Sequence, residues 1–157
     1  MAKNSLDKTD LRIIAALQEN GRITNVKLAE RVGISAPPCL RRVRALEKAG
    51  YISGYHAEVD SALLGFTVTV FAMVGLHSQA ERDLKAFEET VRGWPEVREC
   101  HMLNGDIDFI LKCVAPDLSS FQTFLTEKLT PAENVANVRT SLTIRQSKKI
   151  AGVPVKL

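Results

Sequence analysis

Two short apolar stripes at helical spacing, divided by one glycine, constrain this chain more than any other feature it has. They fill residues 23–52. Thr24 opens the first, because its hydroxyl can accept a backbone N–H that a first helical turn leaves unpaired, and Leu28, Ala29 and Val32 then share one face. Gly33 ends the run, being free to adopt positive φ. Ser35 is the next expected cap, and Pro37 and Pro38 fall in a first turn, where a missing N–H costs little. Leu40, Val43 and Leu46 recur at helical spacing until Gly50 closes the second helix. Two helices about a glycine turn, with the motif spanning about 25–44, form a helix-turn-helix.

The second helix is basic. With Leu40, Val43 and Leu46 inward, Arg41, Arg42, Arg44 and Lys48 point away from the core or along its margin, and Glu47 is the acid among them. The arginine fork matches both phosphate oxygens and the O6/N7 edge of guanine. Arg41, Arg42 and Arg44 are therefore the expected contacts to double-stranded DNA, with Ser35, Ala36 and Pro37 at the helix start near base edges or phosphate. Arg42 has a second reading, in which it braces the fold through Glu47 or another acid. Charge distribution favours DNA as the partner. Residues 1–60 hold ten Lys/Arg against seven Asp/Glu, whereas 61–157 hold eleven of each, so the whole excess of +3 sits in the first part.

A chain of 157 residues that is 45% apolar can build one large core or two small ones. No run approaches the ~18 apolar residues of a membrane span, and the first residues lack an apolar signal core, so a cytoplasmic protein is expected. Cys39, Cys100 and Cys113 are odd in number without Cys-x-x-Cys spacing, which argues against staples and zinc. His56, His77 and His101 match no ligand pattern. No metal or cofactor is expected.

A first helix is expected from Asp7 to about Asn20, burying Leu11, Ile14 and Leu17 with Ile13 beside them and stopped by Gly21. Residues 51–59 read as a short extended wing or linking strand, which makes the first domain winged-helix-like, and 61–65 read as a hinge. The pattern then changes. A strand at 66–76, a helix at 80–92, a strand at 97–103, a hairpin at Asn104-Gly105, a strand at 108–114, a helix capped by Asp117 and a strand at 138–144 follow in order. Leu84, Phe87 and Val91 face inward from the first of these helices, and Leu118, Phe121, Leu125 and Leu129 from the second. Val138, Thr140, Leu142 and Ile144 share a face of the last strand. The fold class is α+β: a helix-turn-helix domain over 1–60 and a ferredoxin-like β-α-β-β-α-β domain over 66–147, with a tail at 148–157. The strand at 66–76 is apolar on one face through Phe66, Val68, Val70, Ala72, Val74 and Leu76, and carries Phe71 and Met73 on the other. Two helices cover one side of such a sheet, so the second apolar side implies another copy and hence a homodimer.

The turn Asn104-Gly105-Asp106 has two readings. It can simply make the hairpin, or it can gather backbone N–H groups about Gly105 for a carboxylate while Asp106 or Asp108 takes an ammonium. Here a family resemblance enters. Leu6-Asp7-x-x-Asp10, Asn20-Gly-Arg22, Leu28-Ala-x-Arg-Val-Gly33, the run from Ser35 to Arg42 with Leu46, Glu47, Gly50 and Ile52, and Gly105-Asp106-x-Asp108 together resemble the Lrp/AsnC family of bacterial and archaeal transcription regulators. The resemblance covers nearly the whole chain. It implies a sequence-specific regulator whose dimers assemble further, often to octamers, and which responds to a free amino acid held at Asn104, Gly105, Asp106 and Asp108. Two alternatives differ in class. An architectural protein would bind unrelated duplexes equally well. A haem-precursor decarboxylase of similar fold would use His77 and His101 on a tetrapyrrole, but no acid–base constellation supports those histidines. The expected protein is not an enzyme.

Overall fold

The computed structural model describes residues 6–156. They divide into two units: one runs to Glu58 and takes back the chain from Lys148 onward, and the other is Val59–Ser147.

The first unit is three helices, α1 (Lys8–Glu19), α2 (Asn25–Val32) and α3 (Ala36–Lys48). Asp7 caps α1 in a reciprocal box with Asp10, and the Thr24 hydroxyl accepts the Lys27 N–H to cap α2, which ends on Gly33 at φ 79°. The core is Ile13, Ala16, Leu28, Ala29, Val32, Cys39 and Leu46. Its register differs from the expected one in two helices. Ile13 and Ala16 centre the α1 stripe, with Leu11, Ile14 and Leu17 only half-buried. In α3 the fully buried position is Cys39, and Leu40 is 39% exposed. Cys39, Val43 and Leu46 follow an i, i+4, i+7 spacing where Leu40, Val43 and Leu46 follow i, i+3, i+6, and the small thiol fits the crowded first turn next to two prolines. Residues 51–59 form no strand. They are seated instead by Tyr55, which donates to Glu47 (2.9 Å) and whose ring packs 3.3 Å from where a Cβ on Gly21 would lie. Gly21 thus leaves room for an aromatic ring; α1 has already ended at Asn20.

The second unit is β1 (Val68–Leu76), α4 (Glu81–Arg92), β2 (Val97–Met102), β3 (Phe109–Ala115), α5 (Leu118–Phe124) and β4 (Val135–Leu142), in an antiparallel sheet of order β2-β3-β1-β4. This is the ferredoxin-like arrangement expected. Val70, Ala72 and Val74 of β1 lie opposite Cys113, Leu111 and Phe109 of β3, and all six are at most 2% exposed. Phe87 and Val91 of α4 and Phe121 and Phe124 of α5 close over them, with Trp94 edge-on to both Phe87 and Phe124. After α5 the helix widens into a π turn at Leu125–Leu129. That widening seats Leu129, five residues past Phe124, in the core beside it, whereas Leu118, expected inside, is the first residue of α5 and is 57% exposed. Ile144 lies past the end of β4 and is 97% exposed.

The other sheet face bears Phe71 and Met73 of β1 and Ile110 and Val114 of β3, with Phe71 37% exposed. A register shift falls between Gly75 and Leu76. The Asn137 amide lies across Gly75 so closely that a Cβ there would come within 2.6 Å of it.

Candidate DNA interface and effector turn

The start of α3 is shaped by its prolines. Ser35 occupies the cap position in an extended conformation, yet its hydroxyl makes no capping bond. A cap accepts the N–H of the second or third helical residue, and here those are Pro37 and Pro38, which have none. The Ser35 hydroxyl is left exposed, and Ala36 supplies the only first-turn N–H ahead of Cys39, which donates to the Ser35 carbonyl (3.2 Å). The Asn25 amide of α2 donates to the Ala36 carbonyl (2.8 Å), fixing this end of α3 against its neighbour helix.

Of the three expected arginines, Arg41 and Arg44 are exposed with no ion pair among the described residues. Arg42 takes the bracing geometry of its second reading. Its guanidinium donates to Asp7 Oδ2 (2.7 Å) and to Asp10 Oδ1 (2.8 Å), the two carboxylates of the α1 capping box. The Asp10 N–H, and after it Arg42, holds the Asp7 carboxyl below the usual range. With both carboxylates supplying charge, Arg42 ties α3 to α1. Glu47, the other candidate brace, serves Tyr55, whose hydroxyl is pushed up to about 12 by burial and by that carboxylate.

The β2–β3 turn is closed by the Leu103 N–H on the Asp108 carbonyl (2.8 Å), leaving residues 104–107 outside the ladder. Asn104, Gly105 and Asp106 are exposed, Gly105 has φ 147°, and a Cβ on it would meet nothing within 4 Å. The Asp106 carboxylate has no hydrogen-bond partner among the described residues. Asp108 is different. It is 9% exposed, its Oδ2 accepts the Leu76 N–H (2.7 Å), and its own N–H donates to the Val74 carbonyl (3.0 Å). The two acids therefore do not present one free face: one is in solvent and the other pins the turn to the end of β1. A cavity of about 410 Å³ lies away from the turn, between α4 and β2, lined by Glu88, Val91, Arg92, Val97, Arg98, Glu99 and Cys100.

No group of His, Cys, Asp and Glu among the described residues is arranged to hold a metal. Burial pushes the thiols of Cys39, Cys100 and Cys113 up, Cys113 to about 12, which leaves them poor nucleophiles. No described helix is long and apolar enough to cross a membrane. The division into units sharpens the charge asymmetry. The first unit, with its returning segment, carries thirteen Lys/Arg against six Asp/Glu, and Val59–Ser147 carries eight against twelve.

Residues 69–153 match the Lrp/AsnC ligand binding domain, and residues 6–53 a winged helix-turn-helix DNA-binding domain. The chain is 55% identical over 150 residues to a leucine-responsive regulatory protein of Rhizobium meliloti, covering 96% of each. It is 40% identical over 140 residues to the Bkd operon transcriptional regulator of Pseudomonas aeruginosa, covering 89% of this chain and 92% of that one. Among solved structures it superposes on a transcriptional regulator of Neisseria meningitidis in complex with L-Met with a TM-score of 0.90, at 36% identity over 96% of this chain and 97% of that one.

Proposed function

The chain belongs to the Lrp/AsnC family of DNA-binding transcriptional regulators, and from that membership we propose how its own residues divide the work: α3 reads a specific duplex site, and the ferredoxin-like unit adjusts that reading to a free amino acid. The observation that carries the proposal is the state of α3. Arg41 and Arg44 project from it, exposed and unpaired among the described residues, in the unit that holds all the excess positive charge. Ser35, Ala36 and Pro37 complete the contact, with the Ser35 hydroxyl as a phosphate donor and the Pro37 ring against sugar or a thymine methyl. Arg42 acts one step back, holding α3 at its angle to α1.

The effector contacts are Asn104, Gly105 and Asp106, with Asp106 accepting the ammonium and Asp108 holding the turn in place. The Neisseria relative solved with L-Met and the Rhizobium relative named for leucine support an amino acid as the ligand. Residues 1–60 act as the DNA-binding domain, 61–65 as the hinge, and 66–147 as the domain for effector binding and oligomerisation. The apolar sheet face bearing Phe71 and Met73 joins two copies into a homodimer, which assembles further towards an octamer in the cytoplasm.

The test is a selection of duplexes from a random pool by the purified protein, with calorimetry across the free amino acids, methionine and leucine first. The proposal expects an enriched, pseudo-palindromic site whose affinity shifts at least severalfold with one amino acid. Equal affinity for all duplexes would make this an architectural protein. No calorimetric binder would remove the effector half.

A further inference from the structure

Residues 148–157 leave the ferredoxin-like unit and rejoin the helical one, and a specific contact holds them there. The Gln18 side chain of α1 donates from Nε2 to the Val153 carbonyl (3.1 Å) and accepts the Val153 N–H at Oε1 (2.6 Å). An extended residue presents its N–H and C=O on the same edge, so one side-chain amide stands in for a neighbouring strand. The sequence around Val153 is prepared for this. Pro154 biases Val153 towards extended backbone. Gly152 has φ 75°, and a Cβ on it would run into Gln18 Oε1, so glycine is needed twice over. Apolar burial plays little part, since the Ile150 and Val153 side chains are 76% and 69% exposed. Lys149 pairs with Glu58 (2.9 Å), the last residue before the chain enters the other unit.

We propose that this segment is a strap: through Gln18 and the Gly152-Val153-Pro154 turn it fastens a second chain crossing to the DNA-binding unit, and this docking sets the unit's affinity for DNA. With only the crossing after Glu58, the helical unit would hang from one strand of chain. With the strap seated, both crossings are secured, side by side at Glu58 and Lys149, and a displacement of the effector unit reaches α1 as well as the end of the helix-turn-helix. The functional half of the proposal rests on the DNA-binding reading above; the docking half does not.

The experiment uses the full chain with Gln18→Ala, Gly152→Ala and the double variant, and reads three things: amide exchange over 150–156 without DNA, thermal unfolding, and affinity for the selected duplex with and without amino acid. Protection of the Val153 amide is expected in the wild type, falling on the order of tenfold in each single variant and no further in the double, because both remove one contact. Unfolding should stay near that of the wild type, because Gln18 and Gly152 lie outside the cores. Duplex affinity, or its response to amino acid, should change about fivefold or more, alike in all three variants. An unprotected Val153 in the wild type, or additive losses, would overturn the docking. Lost protection with unchanged duplex affinity and unchanged amino-acid response would overturn the strap. A wild type that binds no duplex would overturn the DNA reading instead, with the exchange arm still deciding the docking.

Discussion

Arg41 and Arg42 are neighbours in sequence with opposite surroundings, one in solvent and one clamped between Asp7 and Asp10. Sequence spacing put both outside the apolar stripe, which is correct, but it could not say which would meet an acid from 32 or 35 residues away. Ser35 is a related case. Its identity marks a cap, and only the two prolines after it, read together with capping geometry, show that the cap has nothing to bind. Arg41→Ala should leave the melting temperature unchanged and weaken duplex binding, with the salt slope falling by about one unit if the contact is to phosphate. Arg42→Ala should lower the melting temperature first, and its effect on DNA should follow from a loosened α3. Salt titration of binding beside thermal melts separates the two. The acid limb carries a sign as well. Asp7 has its carboxyl pKa depressed on folding, so its stabilisation is present above the ordinary value of 3.8 and is lost as pH falls through the lower folded one. Asp7→Asn should flatten the loss of melting temperature between about pH 5 and pH 2.

Among the elements, those with strong end signals were legible. Asp7, Thr24 and Asp117 each cap a helix where they stand, and the order of strands and helices is as the pattern implies. The differences inside the helices share one cause: ideal spacing alone does not fix which residue of a turn is buried. The π turn after α5 adds a residue to the cycle, so Leu129 follows Phe124 into the core at a spacing of five, while Leu118, at the start of α5, stays in solvent. In α3, hydrophobicity favours Leu40, but fit to a tight corner buries Cys39 instead. The β2–β3 turn was legible as a turn, but the separate duties of its acids were not, since Asp108 is defined by a backbone N–H at the end of β1. Asp108→Ala should cost ~1–3 kcal/mol by leaving the buried Leu76 N–H unpaired. Asp106→Ala should fall within ~0.5 kcal/mol of wild-type stability and lose amino-acid binding. Denaturant melts and calorimetry on the two variants give the contrast. Wild-type effector affinity in Asp106→Ala would move the site, and the cavity beside Glu88 and Arg98 would be the next place to look.

At the scale of the whole molecule, the sheet face bearing Phe71, Met73, Ile110 and Val114 is left partly open to solvent in a single copy. Phe71→Asp or Met73→Asp should shift sedimentation from dimer or larger towards monomer at micromolar protein, because a charge would be desolvated between two apolar faces. A wild type that already sediments as a monomer would reject the assembly. The connection of the two units was legible only in part: the change of pattern near residue 60 was plain, whereas the return of residues 148–157 depends on Gln18, a half-buried polar residue of α1 that no motif marks. The uneven charge of the units bears on kinetics. A duplex attracts the unit with thirteen basic residues and repels the one with twelve acidic residues, so the protein feels a torque before it touches anything. Arrival is thereby aimed as well as hastened. Raising ionic strength should lengthen the search for a site mainly by letting the molecule arrive the wrong way round.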